Sequence, residues 1–372
     1  MRPVTGATPV QNPALARRCD DGHVFARGIV IGAVACLALA GCGEDGGTSA
    51  GREPFTLPVG PTEWDVPAPA WFHDGTLHVG ERTLELGNRV DQFVLGATGV
   101  YWMRGRTLMF TSAQDGTQQV EDVGWGNLAV SADRSVLATV DQSRGPTDDY
   151  GTHVLQVAAF DTRTGEQLYR TPDEEPDDGD DLADLYGEIM PLLHGVSEER
   201  LFFDGATIHL DDGSVIPATR DDEGLEVYEG EAETLFPDGY HVGIRGEGGH
   251  RELADSSIYG VGRLSPDRST LFDLTQWPTP AVAYDAETGR GRPIDAPWDH
   301  FSLGGWSDED TFYGVAERID MDNPGNVLRA RQVVTCEVRT LACTPVSPVI
   351  ATQDQLEDES PHFLVEGRPQ EL

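Results

Sequence analysis

The stretch that decides the fold follows Val130: Ser131-Ala132-Asp133-Arg134-Ser135, then Val136-Leu137-Ala138-Thr139-Val140. It returns downstream as Ser265-Pro266-Asp267-Arg268-Ser269, then Thr270-Leu271-Phe272-Asp273-Leu274. In each copy a polar turn feeds a short apolar strand. Each copy is followed by a second strand ending in a matching turn, Asp161-Thr162-Arg163-Thr164-Gly165 in one and Asp285-Ala286-Glu287-Thr288-Gly289 in the other. A strand-turn-strand unit that returns is the mark of a repeat architecture.

Outward from these copies the signal is strands throughout. Thr76–Val79, Gly99–Met103, Thr107–Thr111, Val136–Val140, Val154–Phe160, Arg200–Phe203, Thr207–Leu210 and Ala281–Tyr284 alternate or are wholly apolar. Asp-Gly pairs sit between them at Asp74-Gly75, Asp115-Gly116, Asp204-Gly205, Asp212-Gly213 and Asp238-Gly239. Both residues tolerate positive φ, so the pair is a strong hairpin signal. Asp133 and Asp267 stand 134 residues apart, and the polar turn Ser307-Asp308 begins a further copy. That separation is close to three units of ~45 residues, which is what four short antiparallel strands and their turns consume. The spacing predicts an all-β chain: a six- or seven-bladed β-propeller of four-stranded antiparallel blades over 63–350. A β-sandwich is the second choice, because it would lack a fixed period. The Ser-x-Asp turn before an apolar strand and the Asp-x-x-Thr-Gly turn after the next resemble those of WD40-like and TolB-like propellers. That resemblance implies a rigid disc with loops on its faces, and such scaffolds host many unrelated functions.

The leader reads as an address. Arg17, Arg18 and Arg27 precede an uncharged run from Gly28 to Ala40. Such a run is short for a membrane-spanning helix and has the length of a signal-peptide core. It ends in Leu39-Ala40-Gly41-Cys42, which resembles the lipobox of bacterial lipoproteins. The resemblance implies that residues 1–41 are a cleaved signal peptide and that Cys42 is lipidated. The chain would then be extracytoplasmic and held to the bacterial cell membrane or outer membrane through that lipid. Residues 42–62, rich in Gly, Glu, Thr and Pro, read as a flexible tether, and 351–372 as an acidic tail.

Composition excludes several classes of function. Sixty-four carboxylates face 26 cations, all of them Arg, for a formal net charge of −38. Such a surface repels phosphate backbones, so no nucleic-acid partner is expected. Without Lys there is no P-loop lysine, Schiff-base lysine or lysine general base. The 38% hydrophobic content suffices for a core that folds alone, and a monomer is expected.

Among residues that could carry chemistry, Cys336 and Cys343 stand out. A turn at Arg339-Thr340 pairs Val338 with Leu341 and sets the two cysteines opposite each other, within disulfide reach on one face of a hairpin. An oxidising compartment favours the bond. The acidic run around Asp177, Asp178, Asp180 and Asp181 reads either as a weak calcium site or as a solvated loop capping a short helix over Leu182–Met190. The run lacks oxygens at the offsets a calcium loop needs, so neither metal nor cofactor is assigned. His73 and His78 are expected on opposite faces of their strands, and Trp71, Trp102, Trp298 and Trp306 are expected to fill the space between blades. No catalytic set is legible. The expectation is a binding or scaffolding module for a protein or glycan of the cell envelope, more in keeping with a non-enzyme. The alternative is a propeller-type envelope enzyme, a glycan hydrolase or lyase.

Overall fold

A computed structural model describes residues 55–366 except for internal stretches, the longest being 221–225, 228–233, 254–261, 274–281, 321–326 and 353–362. The leader, Cys42, Trp125 and Trp277 lie outside the described residues. The strands gather in chain order into antiparallel sheets. The first sheet holds β1 (Trp71–His73), β2 (Thr76–Val79) and β3 (Arg82–Glu85). The second runs β4 (Gln92–Leu95), β5 (Val100–Arg104), β6 (Thr107–Ser112), β7 (Gly116–Asp122), and the third β8 (Leu128–Val130), β9 (Val136–Asp141), β10 (Gln156–Asp161), β11 (Gln167–Arg170). Helix α1 (Leu182–Glu188) leads into the fourth: β12 (Leu193–Val196), β13 (Arg200–Phe203), β14 (Ala206–His209), β15 (Val215–Pro217). The short strands β16 (Thr219–Arg220) and β17 (Glu226–Val227) pair with each other. Next come β18 (Thr234–Asp238), β19 (His241–Gly246) and β20 (Gly249–Leu253), continuous through β18 with β21 (Gly262–Leu264), β22 (Thr270–Asp273), β23 (Val282–Asp285) and β24 (Gly291–Pro293). The last sheet is β25 (His300–Trp306), β26 (Thr311–Asp320), β27 (Val327–Glu337) and β28 (Cys343–Pro345), with β29 (Ile350–Ala351) also on β27. Finally β30 (Phe363–Val365) returns to the first sheet, pairing Trp71 with Val365, Phe72 with Leu364 and His73 with Phe363.

Burial shows how the sheets are arranged. Every residue of β4 and β9 is buried, and all but the last of β5 and β10. Strands buried on both faces must be covered on both sides by other layers. The apolar clusters identify those layers. Phe72 and Leu77 of the first sheet join Phe93 and Trp102 of the second. Tyr101 and Phe110 of the second join Leu137 and Phe160 of the third. Val140 and Val157 of the third join Leu201 and Ile208 of the fourth. Phe272 of β22 meets Phe312 of β26, and Tyr313 and Val333 of the last sheet meet Trp71 and Val365 of the first. The first strands of successive sheets also lie side by side, β30 by β4, β4 by β8 and β8 by β12. Four-stranded sheets packed face to face, with the last on the first, make a β-propeller.

The repeated turns form as their residues dictate. The Ser131 hydroxyl donates to Asp133 Oδ1 at 2.7 Å and accepts the Val136 N–H at 2.9 Å. Its copy at Ser265 accepts the Thr270 N–H at 3.0 Å. The corresponding turn between β12 and β13 is two residues shorter, and there Ser197 accepts the Arg200 N–H at 3.0 Å. Asp161 Oδ1 accepts the N–H groups of Arg163 and Thr164, and Gly165 closes that turn at φ +77°.

Two sequence-based boundaries need correction. The tail expected over 351–372 contains β30, the strand that completes the first sheet. A three-residue apolar run among acidic residues carries no strand signal of its own; β1, almost three hundred residues earlier, supplies the template. The tether expected through residue 62 is bound from Phe55 onward. Leu57 is buried and donates its N–H to the Gly165 carbonyl at 2.9 Å, Gly60 N–H bonds Thr98 Oγ1 at 3.0 Å, and Pro58 O accepts from Tyr101. A Cβ at Gly165 would collide with the Leu57 carbonyl, so this glycine serves both the turn and the strap laid over it. Backbone pairing fixes this segment, and composition does not reveal backbone pairing.

Candidate functional site

Most connections between strands are turns of a few residues. Two in the third sheet are not: 142–155 between β9 and β10, and 171–192 between β11 and β12, which carries α1. They are built into one structure around Asp148, a residue 8% exposed. Its Oδ1 accepts the N–H groups of Thr152 at 2.7 Å and Tyr150 at 3.0 Å, and its Oδ2 accepts the N–H of Leu182 at 2.9 Å. One carboxylate thus closes the first loop and holds the start of α1. Burial works to raise the Asp148 pKa, but the N–H donors of Leu182, Thr152, Tyr150 and Gly151 outweigh it, and the carboxyl lies below its ordinary value. Asp181 caps the helix, its Oδ1 accepting from Ala183 at 3.1 Å and Asp184 at 3.2 Å. Leu182 is buried, and Tyr186 Oη accepts the Leu155 N–H at 3.0 Å.

A polar network supports these loops from beneath. Asp141, fully buried, accepts from Arg170 at 2.7 Å and from the Ser143 backbone at 2.8 Å. Arg170 also donates to Gln156 Oε1, and Gln156 Nε2 donates to Asp173 at 2.9 Å. Arg144 pairs with Glu121, and the Phe55 ring lies 5.1 Å from the Arg144 guanidinium and 5.7 Å from that of Arg170. The start of the strap is thus held by cation–π contacts.

The two loops and the neighbouring turn at Arg106 enclose a cleft of about 450 Å³, lined by Arg106, Gln142, Thr152, His153 and Tyr186 among others. The His153 ring is oriented by a 2.9 Å bond between Nδ1 and the Gly145 carbonyl. Next in sequence to the lining residues Gly151 and Tyr186, Tyr150 is 69% exposed and Leu185 43%, two of five large apolar side chains so exposed among the described residues. The same two connections carry exposed acids: Asp149, Asp173, Glu174, Glu175, Asp181 and Asp184. An aromatic and an aliphatic anchor with a negative rim, on loops fixed by buried hydrogen bonds, can engage a partner at little ordering cost.

Other sequence-derived candidates fall elsewhere. Cys336 and Cys343 form a disulfide across paired positions of β27 and β28, with Cα atoms 4.0 Å apart. Asp181 acts as the helix cap; Asp177, Asp178 and Asp180 lie outside the described residues. Among the described residues no group of three or more His, Cys, Asp or Glu is placed to hold a metal. No helix among them is long and apolar enough to cross a membrane. His73 and His78, expected on opposite faces, share one. The Asp74-Gly75 turn lies between them, so alternation restarts; His78 pairs with Trp71 and stacks on it at 3.7 Å. Burial, then the nearby His73, holds the His78 pKa below its usual value. Trp71 and Trp102 are buried between sheets, and Trp298 and Trp306 pack beside the Phe272 cluster. Sequence reasoning missed Asp148. The available signal was Asp148-Asp149-Tyr150-Gly151, an Asx-turn pattern whose glycine takes φ +88°.

No protein-family profile matches the chain, and no curated protein matches it. Solved structures similar to it include a protein assigned as TolB from Agrobacterium tumefaciens, at 9% identity and TM-score 0.34, covering 80% of this chain and 96% of that one. Hsv2 of Kluyveromyces lactis is similar at 10% identity and TM-score 0.35, covering 68% and 75%. A puromycin-hydrolyzing peptidase of Mycobacterium tuberculosis shares 18% identity at TM-score 0.31 over 74% of this chain and 41% of its own. At these scores the fold assignment rests on the sheet pairing and the succession of apolar clusters between neighbouring sheets.

Proposed function

We propose that the chain is an extracytoplasmic, lipid-anchored binding module that uses a propeller of seven blades to present the third-sheet loops to a protein partner in the cell envelope. In that count the blades are the first four sheets, a fifth from β18–β20 with the β16–β17 pair beside it, a sixth from β21–β24 and the last sheet, the pairing of β18 with β21 then bridging the fifth and sixth. Two of them, the fourth sheet and β16–β20, lie between the Ser131 and Ser265 turns, so these copies are three blades apart.

The observation that carries the functional reading is the exposed pair Tyr150 and Leu185 on loops locked by Asp148. Exposed apolar side chains on a rigid, ordered loop mark an interaction surface. The acidic rim selects a partner that presents basic residues around an apolar pocket. The lipid anchor rests on the lipobox-like Leu39-Ala40-Gly41-Cys42. A glycan ligand is the second reading, favoured by the polar lining of the adjoining cleft.

The test places a photo-crosslinking amino acid at position 150 or 185 in cells, with positions 168 and 215 on other exposed apolar residues as comparators. The expected result is a discrete protein adduct at 150 and 185 and none at 168 or 215. Equal or absent adducts at all four sites would refute the reading. The anchor is tested separately: a clickable fatty acid should label the chain and fail to label Cys42→Ala.

A further inference from the structure

A second cleft, of about 840 Å³, opens between β24 and the β27–β28 turn, away from the loops of the third sheet. Its lining includes Arg290, Arg292, Arg339, Asp285, Asp310 and Ser269. Three guanidinium groups around one cleft are unusual in a chain where carboxylates outnumber cations by more than two to one. Two of them lack a tight carboxylate. Arg292 has no carboxylate partner among the described residues; its Nη1 donates to the Arg339 carbonyl at 2.9 Å. Arg339 is 88% exposed and reaches the 81% exposed Asp310 only at 3.9 Å, a solvent-screened contact of little strength.

The wall bearing these groups is rigid. The Cys336–Cys343 disulfide closes the β27–β28 turn, and Leu341 N–H bonds Glu337 O at 2.8 Å within it. Thr340 bonds Glu337 at 2.9 Å, and Asp295, just past β24, bonds both Leu341 and Cys343. The backbone carrying Arg339 and the carbonyl that orients Arg292 are therefore placed before any ligand arrives, which reduces the ordering cost of binding.

We propose that this cleft binds a single carboxylate carried on a hydroxylated ligand, of the uronic-acid type. A planar guanidinium fork matches a carboxylate in two parallel hydrogen bonds. Among the described lining residues three arginines stand against two aspartates, an excess of one cation, which suits a monoanion better than a phosphate dianion. The Ser269 hydroxyl, 3.2 Å from Thr270 Oγ1, lies on the same lining and brings hydroxyl chemistry to the cleft.

The test is titration of the full purified chain with glucuronate, with glucose and inorganic phosphate as comparators, read by ligand-detected NMR and calorimetry. Saturable binding of glucuronate in the millimolar range is expected, with glucose and phosphate at least about tenfold weaker, the loss of roughly one charge-assisted pair. R339Q should weaken glucuronate by about the same factor with an unchanged melting temperature, because its side chain is exposed, and R339K should not restore it. R292Q should behave alike; if it lowers the melting temperature, R339Q alone decides. Absence of saturable binding, phosphate binding as tightly as glucuronate, or R339Q binding as the parent does would each overturn the proposal.

Discussion

The turns that link first to second and third to fourth strands and the loops above the third sheet are made from the same chemistry to opposite ends. At Ser131, Ser197 and Ser265 a hydroxyl accepts backbone N–H groups of its own turn and the chain reverses within a few residues. At Asp148 a carboxylate accepts N–H groups from two separate connections and so builds a raised structure of loop and helix. The turn edge is also covered: the strap Phe55–Trp64 runs over Gly165 and Thr98, and Glu366, just past β30, meets Arg134 there. The loop edge leaves Tyr150 and Leu185 in water. Repetition and covering belong to the part that closes the ring; irregularity and exposure belong to the part for which recognition is proposed.

This contrast predicts unequal responses to substitution. The largest is at the latch of the ring. Glu366 is buried, its Oε2 lies 3.2 Å from Arg134, and its Oε1 accepts the Leu95 N–H at 3.4 Å. Glu366→Ala removes one partner of a buried pair and should cost about 3 kcal/mol in denaturant unfolding, with the loop edge untouched. A cost within error of zero would place the pair outside the closure. Burial also holds the Glu366 carboxyl above its ordinary value, with Arg134 opposing. A folded pKa above the unfolded one makes this group's contribution greatest in acid and smaller as pH rises through the folded value. The stability difference between the parent and Glu366→Gln should shift in that sense between pH 4 and pH 7.

Next is the strap. Leu57, 3% exposed, should cost about 2–3 kcal/mol when changed to Ala, since it empties a buried site in the second-to-third sheet cluster. A flexible tether would give no change.

A smaller loss is expected for Ser131→Ala, about 1 kcal/mol, for a single turn hydroxyl that bonds the Val136 N–H.

The smallest effect on global stability belongs to Asp148→Asn, which should leave the unfolding midpoint nearly in place while making α1 severalfold more sensitive to protease. The parent should show the same local release only in acid. The folded carboxyl lies below its ordinary 3.8, so its stabilisation is complete above that value and lost as pH falls through the lower folded one. Pepsin cleavage near α1 that begins well above pH 3.8 would contradict this.

Much of the ring was readable from residues alone because its signals are local. Thr76–Val79 and Arg200–Phe203 fall where alternation places them, and the cysteines face each other as the hairpin register requires. What escaped depends on distant partners. Phe363–Val365 is a strand only because Trp71–His73 is there to pair with it. Leu57 and Gly60 are held by backbone bonds to Gly165 and Thr98 that leave no trace in composition. The Ser197 turn was hidden because Ser197-Glu198-Glu199 is two residues shorter than the repeated turn and has no Asp at its third position, and the long loops 142–155 and 171–192 separate it from Ser131. Asp148 was one acid among many until the fold brought Leu182 to it.

The claim on which the rest depends is that β30 closes the ring by completing the first sheet. Hydrogen exchange followed by mass spectrometry on peptides spanning 361–366 tests it most directly. If β30 completes the first sheet, the amides within Phe363–Val365 that bond to β1 should exchange only through unfolding of the ring and be protected for as long as those of β9. Exchange within seconds, as in a free acidic tail, would contradict the closure.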